Sequence, residues 1–161
     1  TRVKAVGANA TQATYDLLLW EDILLPVVEP WAEYLGGTSI PAVAEGIGAS
    51  NYLLTFLGVA TIDDIFSDEN EAYRKEVDML GLMDAGDAPI FVDNFDTGFG
   101  FDAEGLLNMF LHHGLHALEV RDRAEAVGLP HVAYVRDHGE EYDLEDPSGE
   151  DLVSFLSGHI L

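Results

Sequence analysis

Cysteine is absent from the 161-residue chain, which excludes disulfides, thiolate metal sites and a cysteine nucleophile. Basic residues are nearly as scarce: there are seven, and only Lys4 and Lys75 are lysines. No basic face can be assembled from so few, so nucleic acid, whose binding rests on neutralising phosphates, is not an expected partner. Long apolar runs are missing too. None reaches the roughly 18 residues of a membrane span, and no signal peptide is visible. Thr1 fits loss of an initiator Met, and with these absences an intracellular setting, rather than disulfide-dependent secretion, is the expectation.

Carboxylates fill the space these absences leave. Thirty acidic residues against seven basic ones give a formal net charge of −23, where a small soluble domain carries a magnitude of roughly 2 to 8. At ordinary ionic strength such charge repels itself and opposes the compact state. Screening relieves this, because the Debye length falls from about 10 Å at 0.1 M salt to about 3 Å at 1 M. The composition resembles the proteins of salt-in halophilic archaea, and predicts a chain that works among high-salt counterions, in such a cytoplasm or in a viral particle of such a host. Disorder does not follow from the acidity. Apolar residues make up 48% of the chain, and Trp20, Trp31 and eight phenylalanines can build a core. The length fits a single domain, residues 1–161, and is short for an eight-stranded α/β barrel, which needs about 200 residues or more.

Charge is unevenly spread. Residues 1–60 hold six acids (Asp16, Glu21, Asp22, Glu29, Glu33 and Glu45) and two bases, whereas residues 61–161 hold the other twenty-four acids. In a salt-adapted protein carboxylates collect on exposed surface. An apolar stretch without them is either core or covered by another chain. The contrast gives a low-charge N-terminal part, a strongly acidic α/β part, and the expectation of a homo-oligomer or larger assembly.

Local signals divide the chain further. Thr11 is placed to cap a helix running toward Leu25, with Pro26 interrupting it, and Pro30 opens a short turn ending at Gly36-Gly37. Residues 38–50 read as loop or irregular strand, followed by a short apolar segment at 52–57. The clearest helix begins near Asp68, which has capping-box spacing to Glu71, while Tyr73, Val77 and Leu80 recur at helical intervals. Ile90-Phe91-Val92 is a compact buried-strand signal. Beyond it, Asp102 caps a helix that Gly114 ends, residues 115–120 read as a second strand, 122–128 as a short helix and 132–135 as a third strand. The tail is acidic at 140–151 and closes on an apolar segment at 152–156. Strand, helix, strand, helix, strand predicts an α/β fold with a mainly parallel central sheet, with α+β as the alternative.

Asp93-Asn94-Phe95-Asp96-Thr97-Gly98-Phe99-Gly100 follows the first predicted strand. Carboxylates there are well placed for Mg²⁺, which prefers oxygen ligands. With Asp68-Glu69-Asn70-Glu71-Ala72 upstream and Gly114, Ala117 and Asp122 downstream, this stretch resembles the phosphoenolpyruvate mutase and isocitrate lyase superfamily over about half the chain. The resemblance implies a Mg²⁺-dependent enzyme acting on a small oxo-acid, with Asp93 and Asp96 on the metal and Asp68 as the catalytic carboxylate. The chain departs from that pattern. Two residues separate Asp93 from Asp96 where the family has one, the metal-ligand position falls on Asn94, and the family's acidic pair becomes Arg121-Asp122. Each matching residue also has a local explanation, as helix cap, turn former or loop breaker.

His112, His113 and His116 are a second cluster. Positions 112 and 116 would share a face of one continuous helix, as zinc ligands do, but Gly114 lies between them. Helix-end histidines beside the negative end of the dipole explain them equally. Asp146-Pro147-Ser148-Gly149 reads as a turn. Arg121, Arg123 and Arg136 either gather on an anion or pair with surface carboxylates. No catalytic constellation is complete. The sequence therefore favours a structural or assembly subunit over the Mg²⁺ enzyme, and commits to no cofactor.

Overall fold

The computed structural model describes residues 3–95 and 103–160. In chain order these form β1 (Val6–Asn9), α1 (Trp20–Val28), α2 (Ala32–Leu35), α3 (Ile40–Gly46), α4 (Ser50–Leu57), α5 (Asp68–Glu76), α6 (Met79–Leu82), β2 (Ile90–Phe95), α7 (Ala103–His112), α8 (Leu115–Val127), β3 (His131–Arg136) and α9 (Leu152–Ile160). Tight 3-10 turns at Leu17–Leu19, Glu29–Trp31 and Asp63–Phe66 join several of the helices. The fold is α/β, and its sheet is parallel, in the order β1-β2-β3.

The chain divides into two compact units. A sheet unit takes Thr1–Ala13, Leu82–Gly98 and Leu111–Leu161; a helical unit takes Thr14–Gly81 and Phe99–Phe110. Their boundary does not follow the charge boundary near residue 60.

In the sheet unit the register pairs Phe91 with Val132 and Asp93 with Tyr134. Side chains alternate along a strand, so Phe91, Val132 and Tyr134 share a face, where they pack with Phe155 of α9. The Phe91 ring lies 5.7 Å from Tyr134 and 5.8 Å from Phe155, tilted against both, an arrangement aromatic pairs prefer. Gly7 fits this face because a Cβ there would overlap Leu152 of α9. The opposite face carries α8, whose His116, Ala117, Val120 and Ala124 are buried at helical spacing. Beyond β3, the edge of the sheet is closed by the acidic tail. Asp146 Oδ2 accepts the Ala133 N–H at 3.0 Å, and Val135 and Leu144 exchange two backbone hydrogen bonds. An edge strand with its donors satisfied does not recruit foreign strands.

The helical unit buries Trp20, Ile23, Leu24, Val28, Leu53 and Ile65 among its short helices, and polar contacts tie these together. Asp16 accepts the Leu18 N–H and meets Arg74 at 3.0 Å, both side chains about nine-tenths buried. Thr14 donates its hydroxyl to Asp78 and accepts the Trp20 indole N–H at its carbonyl. Glu21 and Ser39 satisfy donors at the start of α3, at Ile40 and Ala42.

Several local expectations are corrected. Residues 115–120 are not a strand: they open α8, which absorbs the short helix expected at 122–128. Residues 38–50 hold α3, since Pro41 sits in the first helical turn, where a missing N–H costs nothing. Pro26 lies inside α1 on an exposed position and the helix runs through it. Asp16, not Thr11, caps the first helical turn, and Ser67 rather than Asp68 caps α5, accepting the Asn70 N–H. Asp102 lies outside the described residues.

Candidate functional site

The carboxyl end of a parallel sheet is where such folds place ligands. Here β1 ends at Asn9, β2 at Phe95 and β3 at Arg136. Asp93 stands on the α9 face, its carboxylate 3.6 Å from the Arg136 guanidinium, which lies 4.6 Å from the centroid of the Tyr134 ring. Burial holds the Asp93 carboxyl above the ordinary aspartate range; Arg136 pulls it down and Glu145 pushes it further up. Its Oδ1 is buried without a hydrogen bond among the described residues.

Asn94, the other residue at the expected metal position, points to the opposite face and is fully buried. Its Oδ1 accepts the Thr11 N–H at 2.9 Å, while Nδ2 donates to the carbonyls of Thr11 at 2.9 Å and His113 at 3.2 Å. This amide clamps the loop after β1 to the turn between α7 and α8. Its role is structural, as its complement of partners shows.

The three histidines do not converge on a metal. His112 donates from Nδ1 to the Ala10 carbonyl at 2.8 Å. Leu115 donates its N–H to His113 Nδ1 at 3.2 Å, and Ala13 does the same to His116 Nδ1 at 3.4 Å. The His113 ring lies 4.8 Å from that of His138, tilted against it, and meets Tyr142 edge-on at 5.3 Å. Gly114 permits this packing, since a Cβ there would overlap Val135. The three arginines do not act together either: Arg121 pairs with Asp122, Arg123 donates to the Met83 carbonyl and Arg136 faces Asp93.

Of the residues the resemblance points to, Asp68 is an exposed first-turn residue of α5 in the helical unit, Asp93 belongs to the sheet unit, and Asp96 lies outside the described residues. Among the described residues no group of three histidine, aspartate or glutamate side chains can hold a metal ion. Among the described residues, Asp93 faces the Arg136 guanidinium rather than a second carboxylate.

Two features of the helical unit escaped the sequence reading. Residues 46–62 form a seventeen-residue run without one charged side chain, in a chain with thirty carboxylates. Within it α4 exposes Tyr52 by 50% and Phe56 by 40%, four residues apart and so on one helical face. Tyr15, itself 44% exposed, lies 6.1 Å from Phe56 and extends the aromatic surface. The uncharged run was the available signal; its exposure was not.

The second feature is an open cleft of about 540 Å³ beyond the end of α4, lined by Leu57, Val59, Asp64, Glu69, Asn70 and Tyr73, among others.

Comparison of the chain with protein-family models, with curated proteins and with solved structures finds no match. Among the described residues, no helix is long and apolar enough to cross a membrane.

Proposed function

We propose that this chain is a salt-adapted structural or assembly subunit, of a halophilic archaeon or a virus of one, that packs against further copies through the α4 face. The observation that carries this reading is the exposure of Tyr52 and Phe56 on a helix without charge. In concentrated salt, exposed apolar surface is driven together more strongly than in dilute buffer, because excluded salts strengthen effective burial. Repulsion between two chains of charge −23 is screened over about 3 Å at 1 M salt. What remains is a patch rich in the aromatic side chains that interface cores favour and free of the charges they exclude.

The reading needs no chemistry from the carboxyl end of the sheet. Asp93 and Arg136 serve there as a pair that joins β2 to β3.

Light scattering in about 3 M KCl, a salt level chosen for full screening, tests the proposal. The wild-type chain is expected to form a defined oligomer, and Tyr52→Asp with Phe56→Asp to shift it to monomer without loss of helical circular dichroism. A wild-type monomer at high protein concentration would remove the proposal. The Mg²⁺ enzyme reading has its own measurement: calorimetry with Mg²⁺ in the same salt, on wild type and on Asp96→Ala. Specific binding lost in that variant would favour the enzyme.

A further inference from the structure

The two edges of the sheet differ. Past β3, Asp146 and Leu144 occupy the outward backbone groups. Past β1 no strand follows among the described residues. The Val6 and Ala10 N–H groups donate inward, to the carbonyls of Pro89 and Asp93 at 2.8 and 2.9 Å. Backbone groups alternate sides along a strand, so Ala5, Gly7 and Asn9 turn their N–H and C=O outward, and Gly7 and Asn9 are exposed. Such a row of groups is where an extended peptide adds a strand.

An uncharged helix overhangs this edge. Apart from His159, α9 carries no acidic or basic residue. Successive helical residues turn by about 100°. Phe155 points into the sheet core, and Leu152 and Leu156 lie against Gly7 of β1, about 60° and 100° further round. The same rotation brings Ile160 at about 140° and Val153 at about 160°, beyond the edge of β1, where they are 67% and 73% exposed. Leu156 and Ile160 thus stand over the track of a strand added to β1. They favour apolar side chains at the alternate positions that face α9.

Charge specifies the rest of the partner. Residues 1–15 hold no carboxylate in a chain with thirty, and carry the bases Arg2 and Lys4. Lys4 is exposed, and the alternation of β1 continued to it sets it on the face opposite α9. A lysine at an open edge discourages pairing with a second copy, which brings the same base, and favours a strand bearing carboxylates on that face.

We infer that the β1 edge binds an extended acidic segment of another protein, paired antiparallel, with apolar residues beneath α9 alternating with carboxylates. Antiparallel is the more stable pairing, and it places the residues that bond Ala5, Gly7 and Asn9 on the α9 face. The backbone hydrogen bonds and the apolar contact act at short range, so they survive the screening of high salt. This site goes beyond self-association through α4 and uses none of its residues.

NMR titration of the isotope-labelled chain in about 1 M KCl, where the Debye length is about 3 Å, tests the inference. The probe is a capped heptapeptide alternating valine with aspartate. Saturable shifts at residues 5–9 and 152–160 are expected, with slowed exchange of the Gly7 and Asn9 amides. N-methylation of the valines, which removes the donors facing β1, should abolish them. Ile160→Asp, at an exposed position where folding is undisturbed, should weaken binding about tenfold, and Lys4→Glu about threefold. Absence of a saturable response at these residues would overturn the inference, as would an equal response to the N-methylated peptide or unchanged affinity in both variants. Gly7 and Asn9 amides already protected in the free chain would overturn it too, since a second copy would then hold the edge. The Tyr52→Asp, Phe56→Asp variant should bind the peptide as the wild type does, so the two proposals fail independently.

Discussion

Among the described residues, most aromatic side chains of the sheet unit are buried, while in the helical unit only Trp20 and Phe110 are and the others are exposed. Phe91, Tyr134 and Phe155 are each less than 5% exposed. Tyr15, Trp31, Tyr34, Tyr52, Phe56, Phe66 and Tyr73 of the helical unit are all exposed, Tyr34 by 71%. Among the described residues only Phe95 of the sheet unit joins them. Acidity does not separate the units, since both carry many carboxylates. The difference lies in what each element is built from. β2 and β3 lie between helices on both faces and so bury consecutive positions, Phe91-Val92 and Val132 to Val135. The short helices of the other unit, four to nine residues long across α1 to α6, bury aliphatic side chains such as Ile23, Leu24, Val28, Leu35, Leu53 and Ile65, tied together by the Asp16–Arg74 pair and the Thr14 hydrogen bonds.

Withdrawing salt breaks the comparison most completely, because self-repulsion acts on both units at once. Dialysis into dilute buffer should abolish cooperative thermal melting followed by circular dichroism; a melt as sharp as that in high salt would refute the salt adaptation.

Truncating Phe91 to Ala should cost the sheet unit about 3–5 kcal/mol, the usual loss for a buried aromatic. Opening the Asp16–Arg74 pair with Arg74→Ala should cost a similar 3–5 kcal/mol or so, because it strands a buried carboxylate. By contrast, Trp31→Ser and Tyr34→Ser should stay within about 0.5 kcal/mol. Urea melts in high salt compare all four. Large losses at Trp31 or Tyr34 would mean those rings are core after all.

Acid sharpens the picture within the sheet unit. Burial alone would raise the Asp146 carboxyl, but donation from Ser148 and Ala133 and the charge of His131 outweigh it and hold the group below its ordinary range. An unfolded aspartate titrates near 3.9 or so. Asp146 therefore contributes stability that is present above about pH 4 and is lost as pH falls through its folded value. Asp93, held up by burial, has the opposite sign: its contribution is full below about pH 4 and is lost as pH rises through the folded value. Urea melts across this range should show a shallower acid loss in Asp146→Asn. Asp93→Asn should be more stable than wild type at neutral pH. Reversal of either sign would contradict these placements.

The sequence made β2 and β3 legible because Ile90-Phe91-Val92 and Val132 to Val135 are short apolar runs bounded by turn formers. β1 was hidden by its composition: Val-Gly-Ala-Asn carries no apolar run, and its glycine is explained only by Leu152, far along the chain. Residues 115–120 misled because Leu, Ala and Val recur there at strand-like intervals, while burial follows the helical set His116, Ala117, Val120 and Ala124. At the carboxyl end of the sheet, Asp93 and Asn94 were expected to follow the strand but lie within it, since β2 runs on to Phe95. That Asn94 would turn inward as a clamp depends on the pleat and on a loop 83 residues away in sequence, neither of which local pattern reveals. Low charge before residue 60 was visible; the structure shows that much of that stretch is core, with Trp20, Ile23, Leu24 and Leu53 buried, while α4 leaves Tyr52 and Phe56 exposed.

That last point is the one to measure. Sedimentation of the wild type beside the Tyr52→Asp, Phe56→Asp double variant, both in concentrated KCl, should show an assembly in the first and a folded monomer in the second. Identical sedimentation of the two, as monomers or as oligomers, would contradict the assignment of the α4 face to association.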